Sequence, residues 1–236
     1  MPEVDYLYLL TETVYGVILM VAVVIFTFWA QISVQTTFNK YSKKENSARM
    51  TGAEVAETVL RLNGVRGVRI ERAHGGHLSD HYDPRTHTIR LSDAVYDSAS
   101  AAAAGVAAHE AGHAVQYAKE YFPVRVRSVV IPVTSFASKM ATPLLLLGFF
   151  FGLTGFIWLG ILAFAVSLVF QLVTLPCEFD ASRRAMTAIG DSGYFNREDE
   201  KGARKVLTAA AMTYVAAMAM SLVYLLRYIA LARRRR

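Results

Sequence analysis

Residues 141–175 contain no Asp, Glu, Lys or Arg, an uncharged run of 35 positions. A helix needs about 20 apolar residues to span roughly 30 Å of hydrocarbon. The run is too long for one ordinary span and long enough for two in a tight hairpin. Gly148, Gly152 and Gly155 lie in its first half, so a turn is expected close to Leu153-Thr154-Gly155. Lys139 can snorkel at the near end, which lets the first arm begin near Ile131. Two further blocks, 14–30 and 206–226, are also uncharged. With 54% hydrophobic residues and a mean hydropathy of +0.31, the chain is too apolar for an ordinary soluble domain. The expectation is a mainly α integral membrane protein with about four transmembrane helices, over 8–32, 132–153, 156–176 and 205–228. The lipid bilayer is its first expected partner.

Chemistry enters at His109-Glu110-Ala111-Gly112-His113, an H-E-x-x-H pentad in the Ala-rich run SASAAAAGVAAHEAGHAVQYAKE. On a helix, residues four apart share a face one turn apart, so both imidazoles can reach one Zn²⁺ at about 2.0–2.1 Å. Glu110 projects beside them, placed to take a proton from an attacking water. Three positions are a small pattern, and two satisfied core histidines are the bland alternative. Gly112 costs about 1 kcal/mol in a helix and is expected to leave room for a metal, water or substrate.

A catalytic zinc site takes three protein ligands and keeps one position open. The candidate for the third lies in Leu175-Pro-Cys-Glu-Phe-Asp-Ala-Ser-Arg-Arg-Ala185. Pro176 is expected to open a helix, with Glu178 in its first turn. A charge at the end of an apolar run needs a partner: a metal is one, Arg183 or Arg184 another. Asp180 is the rival ligand, pointing to a different side of the helix. Cys177 reads as a packed apolar thiol, with a soft metal contact as the alternative.

The HEAGH helix and the LPCEFDASRRA segment, with the upstream TGAEVAETVLRLNG and GHLSDHYDPRTHTIRLS stretches, resemble the YugP-like membrane zinc metallopeptidases. The resemblance runs from about Asn39 to Tyr228, in matching order. These proteins are related to the HtpX-like membrane gluzincins. The resemblance implies Zn²⁺ as cofactor, His109, His113 and Glu178 as its ligands, and Glu110 as general base. HtpX-like proteins carry an Asp four residues after the ligand Glu, where this chain has Ser182. The group that orients the ligand histidines is therefore left open between Asp180 and Ser182.

Between the first two expected spans, Thr51-Gly-Ala-Glu54 has capping-box spacing, and the helix it starts should stop at Asn63-Gly64. Val68–Arg72 alternates like a strand, Asp83-Pro84-Arg-Thr reads as a turn, and His87-Thr88-Ile89-Arg90-Leu91 as a second strand. Ser92-Asp-Ala-Val-Tyr suggests a short helix. A small α+β zincin-like catalytic region with a short strand pair is expected. In zincin-like folds an exposed edge strand binds an extended peptide by strand addition, and His87–Leu91 is the candidate. His77 and His81 sit beside Asp80 and Asp83, as a second metal site or a polar cluster over the zinc. His74 and His87 read as solvent-exposed. Tyr82, Tyr117, Arg183 and Arg184 are candidate oxyanion stabilisers.

A metal shared by residues 109 and 178 requires an even number of crossings between them. Lys40, Lys43, Lys44, Arg49, Arg125, Arg127 and Lys139 then fall on the catalytic side, with Arg183, Arg184, Arg197, Lys201, Arg204 and Lys205. They outnumber Arg227 and the terminal Arg233–Arg236 opposite, so the site should face the cytoplasm from the cell (inner) membrane. The four-arginine tail fits this orientation badly. The acidic flank MPEVDY, without a small-residue cleavage site, reads as an anchor rather than a signal peptide. A net charge of +6 is a topology and lipid-surface signal; no motif for nucleic acid accompanies it. One cysteine allows no internal disulfide and agrees with a reducing compartment. The expected organisation is an anchor at 1–34, a catalytic region at 35–130, a hairpin at 131–176, a third-ligand segment at 177–204 and a last helix with a basic tail at 205–236.

These readings converge on a zinc-dependent endopeptidase acting on membrane or membrane-proximal proteins; the oligomeric state is not legible. Two rival readings stand beside this one. A site-2-type intramembrane protease needs an Asp in an L-D-G motif on a membrane helix, and only Gly190-Asp-Ser-Gly193, outside the apolar blocks, comes near. A non-catalytic scaffold would need a fourth protein ligand, such as His77, His81 or Cys177, to close the site.

Overall fold

The computed structural model describes residues 4–73 and 79–233, with side chains from residue 14 onward. The described elements are α1 (Val4–Tyr41), α2 (Gly52–Leu62), β1 (Arg69–Arg72), β2 (His81–Asp83), β3 (Thr88–Leu91), α3 (Asp93–Tyr96), α4 (Ala101–Ala118), α5 (Phe122–Phe151), α6 (Thr154–Ser192) and α7 (Arg197–Arg233). They form two interleaved units: 1–31, 127–173 and 213–236 in one, 32–126 and 174–212 in the other.

In the first unit, four helices contribute segments long and apolar enough, by length and composition, to cross a membrane. Each helix is longer than the apolar block that announced it. Polar residues extend the hydrogen-bonded ladder beyond the hydrophobic stretch, because a formed helix adds residues at little further cost. The hairpin turn falls at Gly152-Leu153, where Gly152 takes φ +69, a conformation that costs glycine no Cβ clash. The two arms then approach closely. A Cβ on Gly148 would lie 2.7 Å from the Ile157 backbone nitrogen, and one on Gly160 3.0 Å from that of Leu145.

The expected helix start at Pro176 is corrected: Pro176 lies inside α6, as Pro132 and Pro143 lie inside α5. A proline in a helix interior forfeits one hydrogen bond, at about 3 kcal/mol. The intact ladder on both sides of it carries the long helix through.

The second unit is a helical globule around α4 with a small sheet. Thr51 accepts from the Glu54 N–H while the Glu54 carboxylate accepts from the Thr51 N–H, so the capping box forms. Helix α2 ends at Asn63, followed by Gly64 at φ +69. Its buried face, Val55, Ala56, Val59 and Leu60, joins Ile89, Leu91 and Val95 against the alanines of α4. The sheet has three strands, not a pair, in the order β1-β3-β2. Strand β3 pairs parallel with β1 and antiparallel with β2.

This order overturns the edge-strand reading of His87, Thr88, Ile89, Arg90 and Leu91. Thr88, Ile89 and Leu91 are fully buried in the central strand, whose hydrogen-bonding groups are taken on both sides. Among the described residues, the edges are β1 and β2. The missed strand β2 is three residues long and carries Pro84 directly after it, too short for alternation to register.

Candidate metal centre

Helix α4 starts at Ser100, whose hydroxyl accepts from the Ala103 N–H, and its alanines let neighbours approach to backbone distance. Gly112 decides how close. A Cβ there would sit 2.6 Å from the Ala181 carbonyl oxygen of α6. The expectation that Gly112 leaves room for a ligand is therefore corrected: the space is filled by the α6 backbone. That approach brings Glu178, one turn before Ala181, level with the pentad.

His109 Nε2 and His113 Nε2 lie 3.3 and 3.5 Å from Glu178 Oε2. The two imidazoles stand nearly perpendicular, at 82°, with centroids 4.7 Å apart. The three ligand-type atoms lie within 4.8 Å of one another, so the group can hold a metal ion. Two imidazole nitrogens and a carboxylate are a donor set that suits zinc. Glu178 is 2% exposed, and a carboxylate this deep requires a compensating positive charge. Burial works against protonating His113, but its hydrogen bond with Glu178 and the charges of Glu110 and Glu178 outweigh that. They raise its pKa above the usual histidine value.

The other ring nitrogens are engaged elsewhere. His109 Nδ1 is 3.1 Å from the Ser182 hydroxyl, and His113 Nδ1 is 3.0 Å from Gln116 Oε1. Asp180, the rival ligand, is turned away from the group. Its carboxylate accepts from Gln116 at 2.9 Å, from Arg184 Nε at 2.6 Å and from Arg183. Arg183 and Arg184 thus partner Asp180 rather than Glu178. Cys177 is buried, and its backbone carbonyl accepts from Gln116 Nε2 at 2.7 Å.

Glu110 is buried on α4 beside the two histidines. Asp80 lies close enough for its charge to be felt. Burial raises the Asp80 pKa above the usual carboxylate value, against the N–H and hydroxyl of Ser92, and the Glu110 charge adds to the rise. Tyr117 packs its ring on Tyr82, with centroids 5.5 Å apart. The Tyr82 hydroxyl lies 3.3 Å from His87 Nδ1. His81 is exposed, its Nδ1 2.8 Å from the Ser79 carbonyl, and it stands outside the metal group. The readings of His74 and His77 fall outside the described residues. A cavity of about 380 Å³ borders Ser182, lined by Phe179, Met186, Leu207 and Met212 with Arg183 and Arg204.

Gln116 is a neighbour of the site that the sequence does not single out, although it lies three residues after His113 on the same helix face, which is a usable signal. Asp80, expected only as a neighbour of His77 and His81, lies near Glu110.

Comparison with known proteins gives the family. Residues 16–233 match the family described as "Putative neutral zinc metallopeptidase". A protein of Bacillus subtilis (strain 168), named "Putative membrane protease YugP", is 45% identical over 213 residues. The match covers 90% of this chain and 94% of that protein. The chain belongs to this YugP-like family of zinc metallopeptidases. No solved structure matches it significantly.

Proposed function

We propose that the chain is a membrane-embedded, zinc-dependent endopeptidase that cleaves membrane or membrane-proximal proteins. The observation that carries this is the meeting of His109 Nε2, His113 Nε2 and the buried Glu178 carboxylate at one point. Zinc held by these three would polarise the scissile carbonyl and lower the pKa of a water toward 7. Glu110 takes the proton of the attacking water and passes it to the leaving amine. Ser182 and Gln116 hold the ligand rings from behind. Strand β2, an edge strand next to Asp80 and in ring contact with α4 through Tyr82 and Tyr117, is the surface for an extended peptide. The cavity bordered by Ser182 offers room for an apolar side chain.

The four apolar helices, and a relative named as a membrane protease, support a multi-pass membrane protein. Helix α5 and the apolar first part of α6 lie between His113 and Glu178 in sequence, which is compatible with one site on one side. The excess of Lys and Arg on that side supports a cytoplasmic face of the cell membrane. The rival readings find less support. Asp191 lies near the end of α6 and outside the metal group. Among the described residues no fourth His, Cys, Asp or Glu joins the three.

Glu110→Gln tests the reading. Cleavage of an unstructured membrane-tethered substrate should fall by roughly 10²–10⁴-fold with zinc content unchanged. Cleavage at the wild-type rate would remove Glu110 from the mechanism.

A further inference from the structure

We infer that Gln116 is a positioning residue that dictates which nitrogen of His113 carries the proton, and so makes its Nε2 available to a metal. The inference rests on the reading of His113 as a ligand.

Gln116 is fully buried, and three groups meet its amide. Oε1 faces His113 Nδ1 at 3.0 Å; Nε2 donates to the Cys177 carbonyl at 2.7 Å and to Asp180 Oδ2 at 2.9 Å. A primary amide has one accepting end and one donating end. The Cys177 carbonyl can only accept. Asp180 is held as a carboxylate by Arg183 and Arg184, so it too only accepts. Both claim the donating end, and the accepting end is left for His113. Turning the amide over would set Oε1 against the Cys177 and Asp180 oxygens, with no proton in either contact.

An amide oxygen faces Nδ1 and the Glu178 carboxylate faces Nε2 at 3.5 Å, so each ring nitrogen meets an acceptor; a metal ion at Nε2 would take the place of a proton there, and the one imidazole proton then stays on Nδ1, where the amide oxygen accepts it. The opposite tautomer would place the proton where a metal has to bind. His109 differs here. Its partner, the Ser182 hydroxyl, can donate or accept by rotating about one bond, so it tolerates either tautomer. Only the His113 side of the site carries this instruction, and it is relayed from Arg183 and Arg184 through Asp180 and Gln116.

The test uses the full-length protein in detergent micelles. Zinc affinity is measured by competition with a chelator, and the ring nitrogens of His113 are read by ¹⁵N NMR in the zinc-loaded form. Wild type should bind zinc and show His113 as the Nδ1–H tautomer. Gln116→Met, of similar volume, should weaken zinc roughly 10–100-fold and turn the His113 signal into a mixture of tautomers. A purely structural role would leave the tautomer unmoved. Wild-type zinc affinity in a folded Gln116→Met variant would overturn the inference. So would an Nε2–H tautomer in the wild type, which decides the matter even if the variant does not fold. A wild type that binds no zinc would instead overturn the proposed function.

Discussion

The two units use the same apolar residues in opposite ways. In the unit of 32–126 and 174–212, Val55, Ile89, Leu91 and Val95 are buried against a helix of alanines. In the unit of 1–31, 127–173 and 213–236, Phe150, Val129, Leu146 and Leu162 lie on the outside, and among the described residues Leu145, Ile157, Ile161 and Ala232 form its buried cluster. A globule in water is held by the apolar area it hides. A helix bundle in lipid gains nothing by hiding apolar side chains from a solvent as apolar as they are. It relies instead on close backbone approach at small residues, and the α5–α6 hairpin has such approaches at Gly148 and Gly160. The lesson is that an apolar side chain means little until its solvent is known.

The largest effects should fall where the contrast is sharpest. Ile89→Ala should cost about 2–5 kcal/mol by leaving a cavity in a closed core, read as a lowered midpoint of unfolding. Leu146→Ala, on the exposed face of the other unit, should change insertion by under about 1 kcal/mol. Equal effects would mean that the exposed helices are not lipid-facing. Leu162→Arg should disfavour membrane insertion by about 3 kcal/mol, measured in a glycosylation-based insertion assay; unchanged insertion would place that face in water.

Gly112→Ala sharpens the comparison within the globule. Its methyl group meets the Ala181 carbonyl, so it should cost about 1–3 kcal/mol and loosen zinc by parting α4 from α6. A variant that keeps both stability and zinc affinity would refute the packing role. Thr51→Ala should cost roughly 1 kcal/mol through the lost helix cap, visible in thermal unfolding.

The smallest effect is a dependence on pH. The Arg85 N–H, then the Thr86 hydroxyl and Arg90, hold the Asp83 pKa down from 3.8 to about 2. A folded-state value below the unfolded one favours folding above the unfolded value. That contribution should fade as pH falls from about 4 toward 2. Asp83→Asn should flatten this part of the acid limb in a urea series, and an unchanged limb would argue against the turn's role.

Much of this was legible because it is local. Thr51 and Glu54 are three residues apart, so their reciprocal bonds follow from spacing. Gly152 lies near the midpoint of 131–176, a stretch about two spans long, so the turn had few other places to fall. Pro176 misled because proline marks a helix start only when no ladder already runs through it. Strand β3 misled because a five-residue pattern does not say what lies on either side.

By itself the sequence determined the helical spans, the caps and the pairing of His109 with His113 on one face. These depend on contacts a few residues long. Tertiary structure alone decided that Glu178, 65 positions after His113, faces both rings, and that Asp180 turns away to Gln116 and two arginines. It also put β3 in the middle of its sheet. Each of these needs two distant segments at backbone distance, and packing at Gly112 and Ala181 sets that distance.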